Sequence, residues 1–318
     1  MACCIPDGHR GAQAARRFCL DGGRSFFMNE PKRKSALVVE GGGMRGIFAA
    51  GVLHAFGRTG FDPFDLYIGV SAGACHLASY LAGQHDRNLE ITLKYSLSPR
   101  FINPRRFLFG GHLMDLDWMW EQTIRHHRLD LTALFETLLR RNKEYRIVAT
   151  SVETGKALYL SPGPDTLEHF LKVSSAIPVL YRNILEVGGE KATDGGVVDA
   201  IPAREAHRRG ATDITVIRSR PAGYVKKESP FALALLSLYY RKYPRLVESF
   251  RRRAAVYNAA ARFVRCPPAG VRVSEIAPPS DLDVGRITRD ANRLRAAYSI
   301  GMDSGNRYLR ERPAGHPG

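Results

Sequence analysis

The chain has 318 residues, 44% of them hydrophobic, with 47 Lys and Arg against 31 Asp and Glu for a formal net charge of +16. The length suits one large α/β domain or two small ones, and the apolar content excludes disorder for the bulk of the chain. The charge favours anionic partners such as acidic lipid surfaces, nucleic acid or phosphorylated substrates, with an Arg-rich composition of no functional meaning as the plainer alternative. Residues 1–34 differ from the rest in holding three of the five cysteines (Cys3, Cys4 and Cys19), many Gly and Arg, and no periodicity. They read as a flexible tail, or as upstream sequence ahead of a natural start at Met28. Residues 36–40 form an apolar run ended by glycines and predict a buried parallel strand. A helix is expected at 47–56, a strand at 65–70 and a buried helix at 72–82. Residues 88–144 read as mostly helical around a Phe-, Pro- and Gly-rich loop at 100–112. A strand at 145–152 pairs with 156–160 across Gly155, and a helix at 165–175 stops before Pro178. Further strands are expected at 184–187, 214–217 and 271–276. Helices are expected from Pro202 to Arg209, over 232–263 with a break at Pro244, and over 287–310.

Strands alternating with helices predict a three-layer α/β/α sandwich with a mostly parallel central sheet. Residues 35–318 are expected to form a single domain, with 225–318 as its helical C-terminal portion. The remaining cysteines are Cys75 and Cys266. An odd count, irregular spacing and no C-x-x-C argue against a disulfide framework or structural zinc and favour a reducing compartment. No run approaches the roughly 20 apolar residues of a membrane span, and the N-terminus carries no signal-type apolar core. The expected location is cytoplasmic, with peripheral contact at a membrane surface. The basic runs Lys32–Arg33–Lys34 and Arg251–Arg252–Arg253 sit in no recognisable nucleic-acid module, so no nucleic-acid partner is expected.

Two glycine motifs carry chemistry. Gly41-Gly42-Gly43-Met44-Arg45-Gly46 lies between a strand and a helix, where exposed N–H groups and the helix dipole favour negative charge. That charge could be a cofactor phosphate or the oxyanion of an acyl-transfer intermediate. The string fits the dinucleotide fingerprint, but the acid needed to hold a ribose at the end of the second strand is missing. Gly69-Val70-Ser71-Ala72-Gly73 is G-x-S-x-G, again between strand and helix. It places Ser71 on a strained turn, with Gly69 and Gly73 removing side chains that would clash and the Ala72 N–H poised toward an oxyanion.

An activated serine needs a base. Only His207 and His316 lie beyond Asp194, and both read as solvated surface residues. Asp194-Gly195-Gly196 offers a short carboxylate on an open loop, although read alone it is more simply a turn. Asp199 is a local rival that reads as the cap of the helix starting near Pro202. Cys75 reads as a core thiol, Asp115 and Asp117 as unrelated to a glycosidase pair, and Arg45 as meeting a lipid phosphate or, more simply, as the partner in a structural ion pair.

The blocks at Gly41–Gly46, Gly69–Gly73 and Asp194–Gly196, with Ser174-Ser175-Ala176-Ile177-Pro178 ahead of the last, resemble bacterial members of the patatin-like phospholipase family in content and order. The resemblance spans about residues 36–220. It implies a Ser71–Asp194 dyad, an oxyanion hole from the N–H groups of Gly42, Gly43 and Met44, and phospholipids or other acyl esters as substrates. It implies no metal and no organic cofactor. A catalytically silent lipid-binding protein and a nucleotide-binding oxidoreductase are the competing classes. The apolar run 232–240, followed by Arg241, Lys242, Arg245 and Arg251–Arg253, reads either as a core-packed helix or as an interfacial helix facing anionic lipid.

Overall fold

The structure is a computed structural model, and it describes residues 33–311. The expectations for the N-terminal segment, for Met28, Cys3, Cys4 and Cys19, and for His316 fall outside those residues.

The strands are β1 (Lys34–Val39), β2 (Leu66–Val70), β3 (Glu144–Ser151), β4 (Ala157–Leu160), β5 (Leu185–Val187), β6 (Glu190–Asp194), β7 (Ala211–Ile217) and β8 (Arg272–Ile276). The helices are α1 (Ile47–Arg58), α2 (Ala72–Leu81), α3 (Arg87–Ile91), α4 (Pro104–Leu108), α5 (Leu116–His126) and α6 (Leu131–Arg140). They continue as α7 (Leu167–Ser174), α8 (Ala203–Arg208), α9 (Pro230–Tyr239), α10 (Pro244–Arg251), α11 (Arg253–Arg265) and α12 (Ala291–Glu311). Most boundaries follow the sequence pattern. Helix α12 begins at Ala291 rather than near 287, because the Asp290 carboxylate accepts from the N–H groups of Asn292 and Arg293 and sets the N-terminus. Lys34, placed in the tail by its composition, already pairs with Ala211 in β1. Strand β6 is a strand that the pattern misses: Glu190-Lys191-Ala192-Thr193-Asp194 has too few apolar residues to show a period.

The sheet order is β5-β6-β3-β2-β1-β7-β8, with β4 also on β3. Strands β3, β2, β1, β7 and β8 run parallel, and β4, β5 and β6 add antiparallel pairings at one side. Side chains alternate between the two faces with a period of two. Leu37 and Val39 pack on α1, α2, α6 and α7 on one face. Ala36 and Val38 pack on α8 and α11 on the other. The result is a three-layer α/β/α sandwich whose sheet is mostly parallel. Both glycine motifs follow the carboxyl ends of adjacent parallel strands, where ligands of open α/β sheets bind.

Helices α1 and α12 touch backbone to backbone. A Cβ on Gly51 would lie 2.1 Å from the Tyr298 carbonyl oxygen, and one on Gly301 would lie 2.1 Å from that of Phe48. At the rear of the site, buried Arg218 pairs with Glu40 and Glu275, joining the ends of β1, β7 and β8.

Candidate active site

Ser71 sits at the tip of the turn from β2 into α2, with φ 54° and ψ −127°. A non-glycine residue at positive φ costs energy, and it persists only where the surroundings hold it. Here the Ser71 N–H donates to Ser174 Oγ at 2.8 Å, and that hydroxyl donates on to the Val148 carbonyl at 2.6 Å. The two glycines of the turn let strand and helix close on each other. A Cβ at Gly69 would meet Ala74 Cα at 2.5 Å, and one at Gly73 would meet the Val39 carbonyl oxygen at 2.5 Å.

Asp194 ends β6, opposite Ala149 of β3, and is buried. Its Oδ1 accepts from the Gly196 N–H at 2.7 Å, and its own N–H donates to the Ala176 carbonyl at 3.0 Å. Gly195 lies against Val148, leaving no room for a side chain. Burial pushes the Asp194 carboxyl above its ordinary range. The Ser71 hydroxyl, the charge of Arg253, the Gly196 N–H and the charge of Arg286 oppose that rise without cancelling it. The sheet thus brings residues 71 and 194 together from strands that are not neighbours.

Gly41, Gly42, Gly43 and Arg45 line the same cavity as Ser71 and Asp194. Gly43 adopts φ +57°, and a side chain there would strike the Arg286 carbonyl. No hydrogen bond among the described residues takes up the N–H of Gly42, Gly43 or Ala72. Met44 differs from expectation: its N–H donates to the Arg286 carbonyl oxygen at 3.1 Å and is not free to hold an oxyanion. Gly46 is pressed against His76 and Ala72, a packing role. The loop is fixed from behind, where Glu40 accepts from Arg218 Nε, the Ser219 N–H and the Tyr257 hydroxyl.

Arg45 is a second correction. It is buried yet forms no ion pair among the described residues, and its Nε has no hydrogen-bond partner. Asp199 is a third. It accepts from the Tyr159 hydroxyl at 2.7 Å rather than capping the next helix with its side chain, and burial lifts it to about 6. Cys75 lines an apolar cavity beside Ser175 with its thiol pushed up by burial, as a core thiol would be. Asp115 caps α5, and Asp117 bonds Tyr181 and Lys172. Among the described residues, His76 is the one histidine lining either cavity at Ser71, and burial pushes it down to about 4. No group of three His, Cys, Asp or Glu among the described residues is arranged to hold a metal. The dinucleotide reading of Gly41–Gly46 gains nothing from the geometry, since β2 leads into Ser71 rather than a carboxylate.

Two cavities meet at Ser71. One, of about 150 Å³, is lined by Ile47, Ile91, Phe101, Met114, Met119 and Leu171 among others. The other, of about 410 Å³, holds Asp194 and several cations. Sequence reasoning named Arg45 and Arg253 singly but missed the cluster, because its members come from four separate segments with no common spacing.

A family model described as Patatin-like phospholipase matches residues 37–207, and one described as a domain of unknown function (DUF6363) matches residues 243–312. A protein of Escherichia coli (strain K12), named Uncharacterized protein YjjU, is 34% identical over 274 residues, covering 86% of this chain and 76% of the relative. The crystal structure of VipD from Legionella pneumophila aligns with a TM-score of 0.43 and 17% identity, over 88% of this chain and 67% of that one.

Proposed function

The chain belongs to the patatin-like phospholipase family, a family of lipid acyl hydrolases, and we propose that it cleaves phospholipid-type acyl esters with Ser71 as nucleophile and Asp194 as base. The observation that carries the reading is the meeting of Ser71, Asp194 and the unclaimed N–H groups of Gly42 and Gly43 in one cavity. Ser71 Oγ attacks the ester carbonyl and its proton passes to the Asp194 carboxylate. The carbonyl oxygen gains charge and is held by Gly42, Gly43 and the first-turn N–H of Ala72. Collapse breaks the ester bond, and the Asp194 proton leaves with the departing alkoxide. Water then attacks the acyl-serine, Asp194 again takes the proton, and it passes that proton to Ser71 Oγ as the acyl–oxygen bond breaks and the fatty acid departs. The apolar cavity accommodates the acyl chain.

Access from a lipid surface is part of the same proposal. Helix α9 buries Leu236 against Leu246 and Val197 but leaves Phe231 80% and Leu238 67% exposed. Leu108 and Phe109 at the end of α4 are 80% and 90% exposed. The Arg182 guanidinium ties the two elements together, donating to the Phe107 carbonyl and the Tyr239 hydroxyl. Phe231 also lines the wider cavity, so an apolar rim stands at its mouth, with Arg241, Lys242 and Arg245 exposed beyond. No helix among the described residues is long and apolar enough to cross a membrane.

The direct test is hydrolysis of a short p-nitrophenyl ester and of mixed phospholipid vesicles by wild type, Ser71→Ala and Asp194→Asn. Loss of about a hundredfold or more in both folded variants is expected. Full activity in Ser71→Ala would remove the nucleophile. A folded wild type silent on both substrates would favour the lipid-binding reading over turnover.

A further inference from the structure

The wider cavity beside Ser71 is lined by six cationic residues: exposed Lys227 and, more enclosed, the five that form the cluster, Arg45, Arg220, Lys226, Arg253 and Arg286. Two carboxylates share that lining and offset the cluster only in part: the charge of Glu40 acts on Arg45 and Lys226, and that of Asp194 on Arg253, while their hydrogen bonds go to other groups. Glu40 accepts from Arg218, Ser219 and Tyr257, and Asp194 faces Ser71 and the Gly196 N–H. Among the described residues none of the five cations forms an ion pair within 4 Å. Arg45 Nε is buried with no partner at all. Arg253 donates to the Gly196 carbonyl, Lys226 Nζ lies 4.7 Å above the Tyr257 ring, and Arg220 lies 4.4 Å above that of Tyr224.

Gathering like charges where water is scarce is costly, and a natural fold keeps such a cluster where an anion relieves it. The strain is mutual. Burial and the neighbouring guanidinium groups push Lys226 down to about 7 and both Arg45 and Arg253 down to about 10. The cluster shares its cavity with Ser71 and Gly41–Gly43, and it adjoins the apolar cavity at Gly43, Ser71, Ile177 and Arg286.

We propose that this cationic cavity is a headgroup site that selects acyl esters whose phosphate carries net negative charge, above all a phosphate monoester, over zwitterionic phospholipids. The proposal rests on the acyl-hydrolase reading for the position of the ester. The chemistry that discriminates is simple. A phosphate with no attached ammonium meets the cations from every side, whereas a choline or ethanolamine group brings a further positive charge among them. The preference is built into the cavity wall beside Ser71, so it holds for single lipid molecules and does not depend on the charge of a membrane.

The experiment separates binding from turnover. Short-chain dihexanoyl phosphatidate and dihexanoyl phosphatidylcholine, both below their micelle concentrations, are titrated calorimetrically into Ser71→Ala protein, with inorganic phosphate as a third arm. Phosphatidate is expected to bind at least about tenfold more tightly than phosphatidylcholine, and inorganic phosphate far more weakly than phosphatidate. The same titrations on a Lys226→Gln and Arg220→Gln double variant in the Ser71→Ala background are expected to bring the two lipids level, and Lys226→Arg to retain the preference. Arg140→Gln, a charge removal on the exposed part of α6, controls for net charge. Melting curves establish that each variant is folded.

Equal affinity for the two lipids, or a preference that survives the folded double variant, overturns the assignment. Inorganic phosphate binding as tightly as phosphatidate would make the cavity a free-phosphate site and overturn the headgroup claim. Selective binding of phosphatidate by a protein whose wild type hydrolyses no ester would leave the headgroup site standing and remove the hydrolase reading alone.

Discussion

A buried carboxyl serves as a base only while it is ionised. Because burial holds Asp194 above the ordinary carboxylate range, kcat/KM for an uncharged ester is expected to fall as pH drops through that raised value and to level off above it. On the alkaline side a second group acts. Lys226 sits at about 7 in the free protein, facing Arg253, Arg286, Glu40 and Arg45. Raising the pH through about 7 removes one cation from the headgroup site, so affinity for an anionic ester should weaken there while that for an uncharged ester should not. Paired pH profiles on the two substrates check this, and identical alkaline limbs would count against Lys226. Residues 71 and 194, which the fold brings to one cavity, stand out in the sequence because their flanking glycines are local signals. The engagement of the Met44 N–H does not, since its acceptor, Arg286, lies more than two hundred residues away in the chain.

The close contact of α1 with α12 has no slack. A valine at Gly51 would drive its side chain into the Tyr298 carbonyl. Gly51→Val is expected to cost at least about 2 kcal/mol, read as a lowered urea midpoint with an unchanged slope. An unchanged midpoint would mean that α12 swings away freely. Helix α1 lies in the segment matched by the Patatin-like phospholipase model, and α12 in that matched by DUF6363. This contact is therefore one of those that tie the two matched segments together, with the Met44–Arg286 and Arg253–Gly196 hydrogen bonds. Most elements showed themselves through a period of two or of 3.6. Strand β6 did not, because Glu190 and Lys191 are partly exposed at its start and only Ala192, Thr193 and Asp194 are buried. Its place is set by pairing with β3 and β5, a tertiary fact that a local window does not contain.

The charge excess read from composition takes a definite form in the folded chain: part of it lies inside the cationic cavity and part beyond the apolar rim. If the rim meets lipid, Leu108→Ser with Phe109→Ser and Leu238→Ser should weaken sedimentation with anionic vesicles by at least about tenfold, since each exposed side chain can contribute a sizeable fraction of the roughly 1.5–3 kcal/mol of a full burial. Undiminished sedimentation would place the contact elsewhere. The strand order has a consequence of another kind. Strand β1, which carries the Gly41–Gly46 loop, lies between β2 and β7, and β7 is made well over a hundred residues later. At a synthesis rate of about 5–20 residues per second, β1 waits on the order of ten to forty seconds for that neighbour. Throughout that interval one side of the strand that leads into the candidate active site is an unpaired edge, open to pairing with other chains until β7 is made.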